Sequence, residues 1–274
     1  MKKQIFLISI LLTFAFILAG CGGTDQENNA GNKANNNQTG ALFDEIKDKG
    51  VLTVGTEGTY APYTFHNEED KLTGYDVEVI KEVAKRMDLK VEFMETQWDS
   101  MFAGLNSKRF DLIANQVGIN EDRLANYEFS EPYTYSSAVL VVPKDNSDIT
   151  TFEDLKDKKA AQSLTSNYGA IAQENGAEIV GVEGLAQSIE LIKQGRAEAT
   201  VNDKLAVLDY IKSKGDTSIK IAASSDDVSE MAFTFNKGNE DLVKAINEQL
   251  AAMRDDGTLA KISQEWFGED VSTK

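Results

Sequence analysis

From residue 42 onward the chain alternates short apolar strands with amphipathic helices, and the pattern restarts after Pro132. The first run reads as a strand over 51–55 and a helix over 75–87, with Val79, Ile80, Val83, Ala84 and Met87 on one face. A strand over 89–94, a helix over 100–105 capped by Asp99, and a strand over 110–115 follow. This β-α-β-α-β order implies a largely parallel sheet covered by helices, with strand ends facing a cleft. The second run reads as strands over 137–142, 160–163, 178–182, 199–202 and 219–222. Between them lie helices over 166–174, 185–194 (closed by Gly195) and 204–214, and Thr151 to Asp154 opens a short helix like a capping box. The tail holds one strand, 231–235, and helices over 239–255 and 261–267. Three elements cannot bury themselves, so they are expected to complete the first lobe, and the chain then crosses between two lobes at least twice.

The N-terminus is of another kind. Lys2 and Lys3 precede an apolar run from Ile5 to Ala19, and Leu18-Ala19-Gly20 lead into Cys21, the only cysteine. A basic start, a short apolar core and small residues before a cut site mark a secretory signal over residues 1–20. The run is shorter than the ~20 residues of a membrane-spanning helix. Leu-Ala-Gly-Cys resembles a bacterial lipobox, which implies a diacylglyceryl group on Cys21 and anchoring at the outer face of the cytoplasmic membrane. Residues 22–40 contain no large apolar side chain, so 21–41 reads as a flexible tether with a reach of about 25 Å. No internal disulfide is available, and the folded part depends on its apolar core.

The 254 residues after the leader suffice for two such cores. A net charge of −17 excludes a nucleic-acid partner but leaves a local site free to carry either sign. His66, the sole histidine, excludes a metal site built on a histidine cluster. No cofactor is implied. Acidic pairs such as Glu68-Glu69 and Asp226-Asp227 read as solvated faces.

The stretch from Gly55 to Phe65, followed by Gly74-Tyr75-Asp76-Val77, resembles the opening of family 3 solute-binding proteins, the polar-amino-acid receptors of ABC importers. Trp98-Asp99, Phe110 to Ile113, Asp122-Arg123, Phe129 to Tyr133 and Asp255 to Thr258 match in the same order, so the resemblance spans residues 45–268. It implies an α/β, type II periplasmic-binding-protein-like "Venus flytrap" with two hinge crossings. Lobe 1 would comprise 42–134 and 228–274, and lobe 2 would comprise 135–227. It also implies a monomer, an amino-acid ligand, and a permease and ATPase as partners.

The same resemblance implies the ligand contacts. Arg123 would grip the α-carboxylate through two charge-assisted hydrogen bonds, although on composition alone a lone arginine after a strand is a surface residue. Gly118 would offer a backbone N–H to that carboxylate, and the Asn115 carbonyl would take the α-ammonium. Asp203 would pair with the same ammonium; as the residue between a strand and a helix it also reads as an N-cap. Thr165 and Ser166 would receive carboxylate at the start of a helix. Tyr60 and Trp98 would sandwich the ligand side chain, with core packing the alternative for each. Glu57 stands where the family often has aspartate, Gln116 replaces a residue that is often small, and Asn120 replaces a frequent threonine. The segments from Ala161 to Tyr168 and Val201 to Ala206 resemble the cystine-binding branch most. Cystine has a second zwitterion at its far end, for which Glu57, Gln116 and Asn167 are candidates. A basic amino acid or glutamine remains the alternative ligand. A sensor role and a dehydratase-like enzyme on the same scaffold are the other function classes, but the sole Cys lies in the lipobox and the sole His in an expected loop, so no nucleophile–base pair is apparent.

Overall fold

A computed structural model describes residues 41–274. The expected leader, Cys21 and the tether before Ala41 lie outside the described residues. In chain order the elements begin with α1 (Ala41–Lys49), β1 (Val51–Thr56), β2 (Thr59–Tyr60), β3 (Thr64–His66) and β4 (Leu72–Thr73). Then come α2 (Tyr75–Arg86), β5 (Lys90–Glu95), α3 (Trp98–Asn106), β6 (Leu112–Gly118), α4 (Glu121–Asn126) and β7 (Tyr127–Phe129). β8 (Thr134–Pro143) leads through a 3₁₀ turn (Glu153–Leu155) to β9 (Lys159–Gln162), α5 (Asn167–Glu174), β10 (Glu178–Gly181) and α6 (Leu185–Lys193). The chain ends with β11 (Thr200–Asp203), α7 (Lys204–Lys214), β12 (Ile219–Asn236), α8 (Glu240–Asp255) and α9 (Thr258–Phe267).

The first run folds as its periodicity requires. β1 lies between β5 and β6 in parallel register, and the apolar stripe of α2 (Val79, Ile80, Val83, Ala84) is fully buried. Each large side chain removed from water there contributes about 1.5–3 kcal/mol. The tail closes this half: Trp266 Nε1 donates to Glu78 at 2.9 Å, Arg86 Nη2 donates to Thr258 at 3.0 Å, and the Phe267 ring meets that of Tyr75 at 5.1 Å. In the second half β9 pairs in parallel with β10, and β11 lies antiparallel to β8.

Two long strands join the halves. β8 carries the chain out and β12 brings it back; they pair antiparallel within a sheet of order β11-β8-β12-β6-β1-β5. β12 was expected as two separate strands, 219–222 and 231–235, because Ser224 to Asp227 interrupt its apolar alternation. It is one strand of 18 residues whose register shifts between Ile221 and Ala223 and between Ser224 and Val228. These irregularities bend it around the junction without ending it. Short elements escaped the sequence reading: α1, α4, β7 and the β2-β3-β4 sheet, where the exposed His66 lies in a strand and not a loop. The last helix begins at Thr258, three residues before the expected start.

Candidate functional site

The ends of β1 and β6 face β9, α5 and β11 across a small cavity of about 40 Å³. Glu57, Tyr60, Trp98, Asn115 and Gln116 line it from one half; Ser163, Ser166, Asn167, Tyr168, Glu183, Gly184, Leu185 and Asn202 line it from the other. Seven residues named from the sequence therefore form its wall. Arg123, Gly118, Thr165 and Asp203 stand behind that wall.

Arg123 is held from below by its own helix. Asn120 caps α4, its Oδ1 accepting the Arg123 backbone N–H at 2.9 Å, a cap that threonine also makes. Arg123 is 8 % exposed. Nη1 donates to the Gly118 carbonyl at 2.9 Å and Nη2 to the Thr165 carbonyl at 3.5 Å. The guanidinium lies 5.4 Å from the Trp98 ring and 5.3 Å from that of Phe102. Among the described residues it forms no ion pair, and burial lowers its pKa to about 10, with Tyr168 opposing. A buried cation held by carbonyls and ring faces is arranged to receive an anion. Gly118 packs against this group: a Cβ there would stand 3.8 Å from Arg123 Nη1 and 3.6 Å from Asn167 Nδ2.

Of the two acids, Glu57 lines this cavity and Asp203 stands behind its wall. Asp203 is 1 % exposed and caps α7, its Oδ1 accepting the N–H groups of Leu205 (2.9 Å) and Ala206 (3.0 Å). It also accepts the hydroxyls of Tyr63 at 2.6 Å and Tyr168 at 3.2 Å. Of the two sequence readings of Asp203, the structure shows the N-cap. Burial raises its pKa, against hydrogen bonds that favour the ionised form. Tyr168, which lines the cavity, therefore connects Asp203 with the neighbourhood of Arg123. Glu57 accepts Asn115 Nδ2 at 2.6 Å; burial pushes its carboxyl up to about 7, the Asn115 hydrogen bond opposes this, and the charge of Asp99 adds to it. The Asn115 amide oxygen takes the Glu57 N–H at 2.8 Å, so that side chain locks β6 to β1.

Two sequence expectations need correction. Asp99 does not cap α3: the helix starts at Trp98 with Gln97 at its cap. The Asp99 carboxylate instead crosses the cleft and accepts the N–H groups of Leu164 (3.3 Å) and Thr165 (3.1 Å) and the Thr165 hydroxyl (2.8 Å). The Thr165 N–H, expected free for a ligand carboxylate, is thereby satisfied within the chain. Ser166 spends its side chain on capping α5, accepting Gly169 N–H at 3.0 Å. Trp98 packs on Arg123 and edge-on to Phe102, so it supports the guanidinium as well as the cavity.

Further contacts tie the halves: Tyr60 Oη donates to Asn202 at 2.9 Å, and Gln97 Nε2 to Glu183 at 2.5 Å. Among the described residues no cluster of His, Cys, Asp and Glu is suited to a metal, and no helix is long and apolar enough to cross a membrane. The sequence reading did not single out Tyr168, Asn202 or Asp76 as site residues. The signal for Asp76 was an acid embedded in an apolar helix face, between Tyr75 and Val77.

Known proteins bear on this arrangement. Residues 52–269 match the family model of bacterial extracellular solute-binding proteins, family 3. The chain is 54 % identical over 274 residues to the L-cystine-binding protein TcyA of Bacillus subtilis (strain 168), covering 99 % of this chain and 100 % of that one. The L-cystine solute receptor of Neisseria gonorrhoeae, solved in an unliganded open conformation, is 50 % identical, covers 86 % of this chain and all of its own, and overlays with a TM-score of 0.57. A substrate-binding protein of an ABC uptake transporter from Streptococcus pneumoniae, solved with bound histidine, is only 26 % identical, covers 86 % of this chain and 99 % of its own, and overlays at 0.80. The more distant but ligand-bound structure fits better, in keeping with the cross-cleft hydrogen bonds that draw the halves together here. The fold is thus the two-lobed α/β form read from the sequence, and the chain belongs to the family 3 bacterial extracellular solute-binding proteins.

Proposed function

We propose that this protein captures a polar amino acid, L-cystine, between its two lobes and delivers it to an ABC permease and its ATPase. The observation that carries the reading is the buried Arg123, without an ion pair among the described residues, set with the buried Asp203 behind the wall of one cavity. A zwitterion satisfies both, and an amino acid contributes the carboxylate that Arg123 lacks. Gly118 and the Asn115 carbonyl complete that end of the ligand. Tyr60, Trp98, Ser166 and Asn167 shape the middle, and Thr165 acts through its carbonyl on Arg123. Cystine is favoured by the named specificities of the similar proteins and by Glu57, whose carboxyl has no cationic partner among the described residues and suits a second ammonium. Residues 42–134 with 228–274 form the first lobe in this reading, and 135–227 the second. Residues 1–20 are a leader, Cys21 carries the lipid that holds the protein at the outer face of the membrane, and the protein works as a monomer without turnover.

A thermal-shift screen of the amino acids and cystine, followed by calorimetry, tests the reading. Cystine at 100 times its dissociation constant should add about 2.7 kcal/mol to stability. Melting curves unchanged by every amino acid contradict the reading; a response to lysine or arginine alone reassigns Glu57 to a basic side chain. Mass spectrometry of the ligand after incubation should return it unaltered, and of the mature N-terminus should find diacylglyceryl on Cys21.

A further inference from the structure

We propose that Asp76, which does not line the cavity, is a positioning residue for the ligand's ammonium group, acting through Gln116. The inference rests on the reading of the cavity as an amino-acid site.

Gln116 occupies an unusual backbone conformation, with φ of +49° near the end of β6. β6 pairs with β12 at Gly118–Met231 and Val117–Ala232, and the ladder resumes only at Ile113–Thr234. The intervening bulge turns the strand at the cavity wall. A left-handed conformation disfavours a side chain with a Cβ, and it persists where neighbouring groups determine it. Asp76 is that neighbour. It is fully buried, in the first turn of α2, and its own N–H donates to the Tyr63 carbonyl at 3.0 Å. Its Oδ2 accepts the Gln116 backbone N–H at 2.8 Å, while Oδ1 accepts Gln116 Nε2 at 2.6 Å. Nε2 also donates to Thr134 Oγ1 at 3.0 Å, where β8 leaves the first lobe.

This arrangement decides which end of the amide meets the ligand. Burial pushes the Asp76 carboxyl up to about 7, with the Gln116 hydrogen bonds opposing, and once ionised above that pH both of its oxygens only accept, so the amide nitrogen then faces it. The oxygen is then left over. Gln116 is 6 % exposed and lines the cavity, and its Oε1 has no hydrogen-bond partner among the described residues. A buried acceptor on the wall of an amino-acid site matches an ammonium N–H. Asp76 thus contributes to recognition without touching the ligand, by presenting an oxygen where a freely rotating amide would offer either atom.

The test is a double-mutant cycle read by calorimetry with L-cystine on the full folded chain. Asp76→Asn and Gln116→Leu should each weaken binding about tenfold, the size expected for one buried hydrogen bond to a charged group. In the Gln116→Leu background, Asp76→Asn should cost less than about threefold more, because its effect travels through the absent amide. The ligand-free melting temperatures of Asp76→Asn and the wild type should agree within a few degrees. Equal losses with and without Gln116 overturn the proposal, as does full affinity in Asp76→Asn. Should Asp76→Asn not fold, Thr134→Val carries the same cycle: a smaller loss that vanishes in the Gln116→Leu background supports the role, and a persistent one overturns it. If the wild type binds no cystine, the functional reading fails separately, and the cycle is run with the amino acid that raises the melting temperature.

Discussion

The guanidinium of Arg123 lies 5.4 Å from the centre of the Trp98 ring, and the same ring meets Phe102 edge-on at 5.8 Å. A cation on an aromatic face, inside a wall that excludes water, keeps its charge at lower cost than burial alone would allow. The indole Nε1 has no partner among the described residues.

Replacing Trp98 by leucine removes that support while retaining apolar bulk. Binding should weaken by about 0.5–2 kcal/mol, or two- to thirtyfold, and the smaller side chain should also lower ligand-free stability, because Trp98 is buried in the core with Met101, Leu105 and Phe110. Calorimetry with cystine beside a thermal melt separates the two effects.

Glu57 predicts a pH dependence. Its folded pKa of about 7 lies above the ordinary 4.5. Its contribution to ligand-free stability is therefore fully present below about pH 4.5 and is lost as pH rises through 7. The ligand's second ammonium favours the ionised carboxylate, so binding releases a proton and affinity should rise between pH 5.5 and 7.5. Glu57→Gln should flatten that rise. Calorimetry in buffers of different ionisation enthalpy counts the proton.

Asp99 holds the turn before α5 from the opposite lobe through three hydrogen bonds at an exposed position. Asp99→Ala should loosen the closed form by about 1–2 kcal/mol in total. The loss should appear in a faster dissociation rate, with association nearly unchanged, in stopped-flow measurements.

Gly74 sets the entry of α2, and with it Asp76. Its φ is +129°, and a Cβ there would approach the Tyr63 carbonyl oxygen to 2.2 Å. Gly74→Ala should destabilise the fold by more than about 2 kcal/mol, which chemical denaturation would measure.

Much of the architecture could be read from local pattern. The stripe of Val79, Ile80, Val83 and Ala84 identified α2, and the tail helix packs back on α2 through Trp266, Phe267 and Thr258. The continuity of β12 was hidden because Ser224 to Asp227 break an alternation that pairing with β8 sustains. At the site, the ligand role proposed for Arg123 rests on resemblance, since nothing local in the sequence distinguishes it from a surface arginine. The destination of the Asp99 carboxylate, 65 and 66 residues away, lay beyond any local rule, which favoured a helix cap. The left-handed turn at Gln116 depends on an acid 40 residues earlier and leaves no local mark.

The most direct test of the account is the affinity of Arg123→Ala for cystine by titration calorimetry. A ligand carboxylate left buried without its cation should cost about 2–5 kcal/mol, a drop of roughly thirtyfold or more. An unchanged dissociation constant in a folded variant would contradict the assignment of this cavity to a zwitterion.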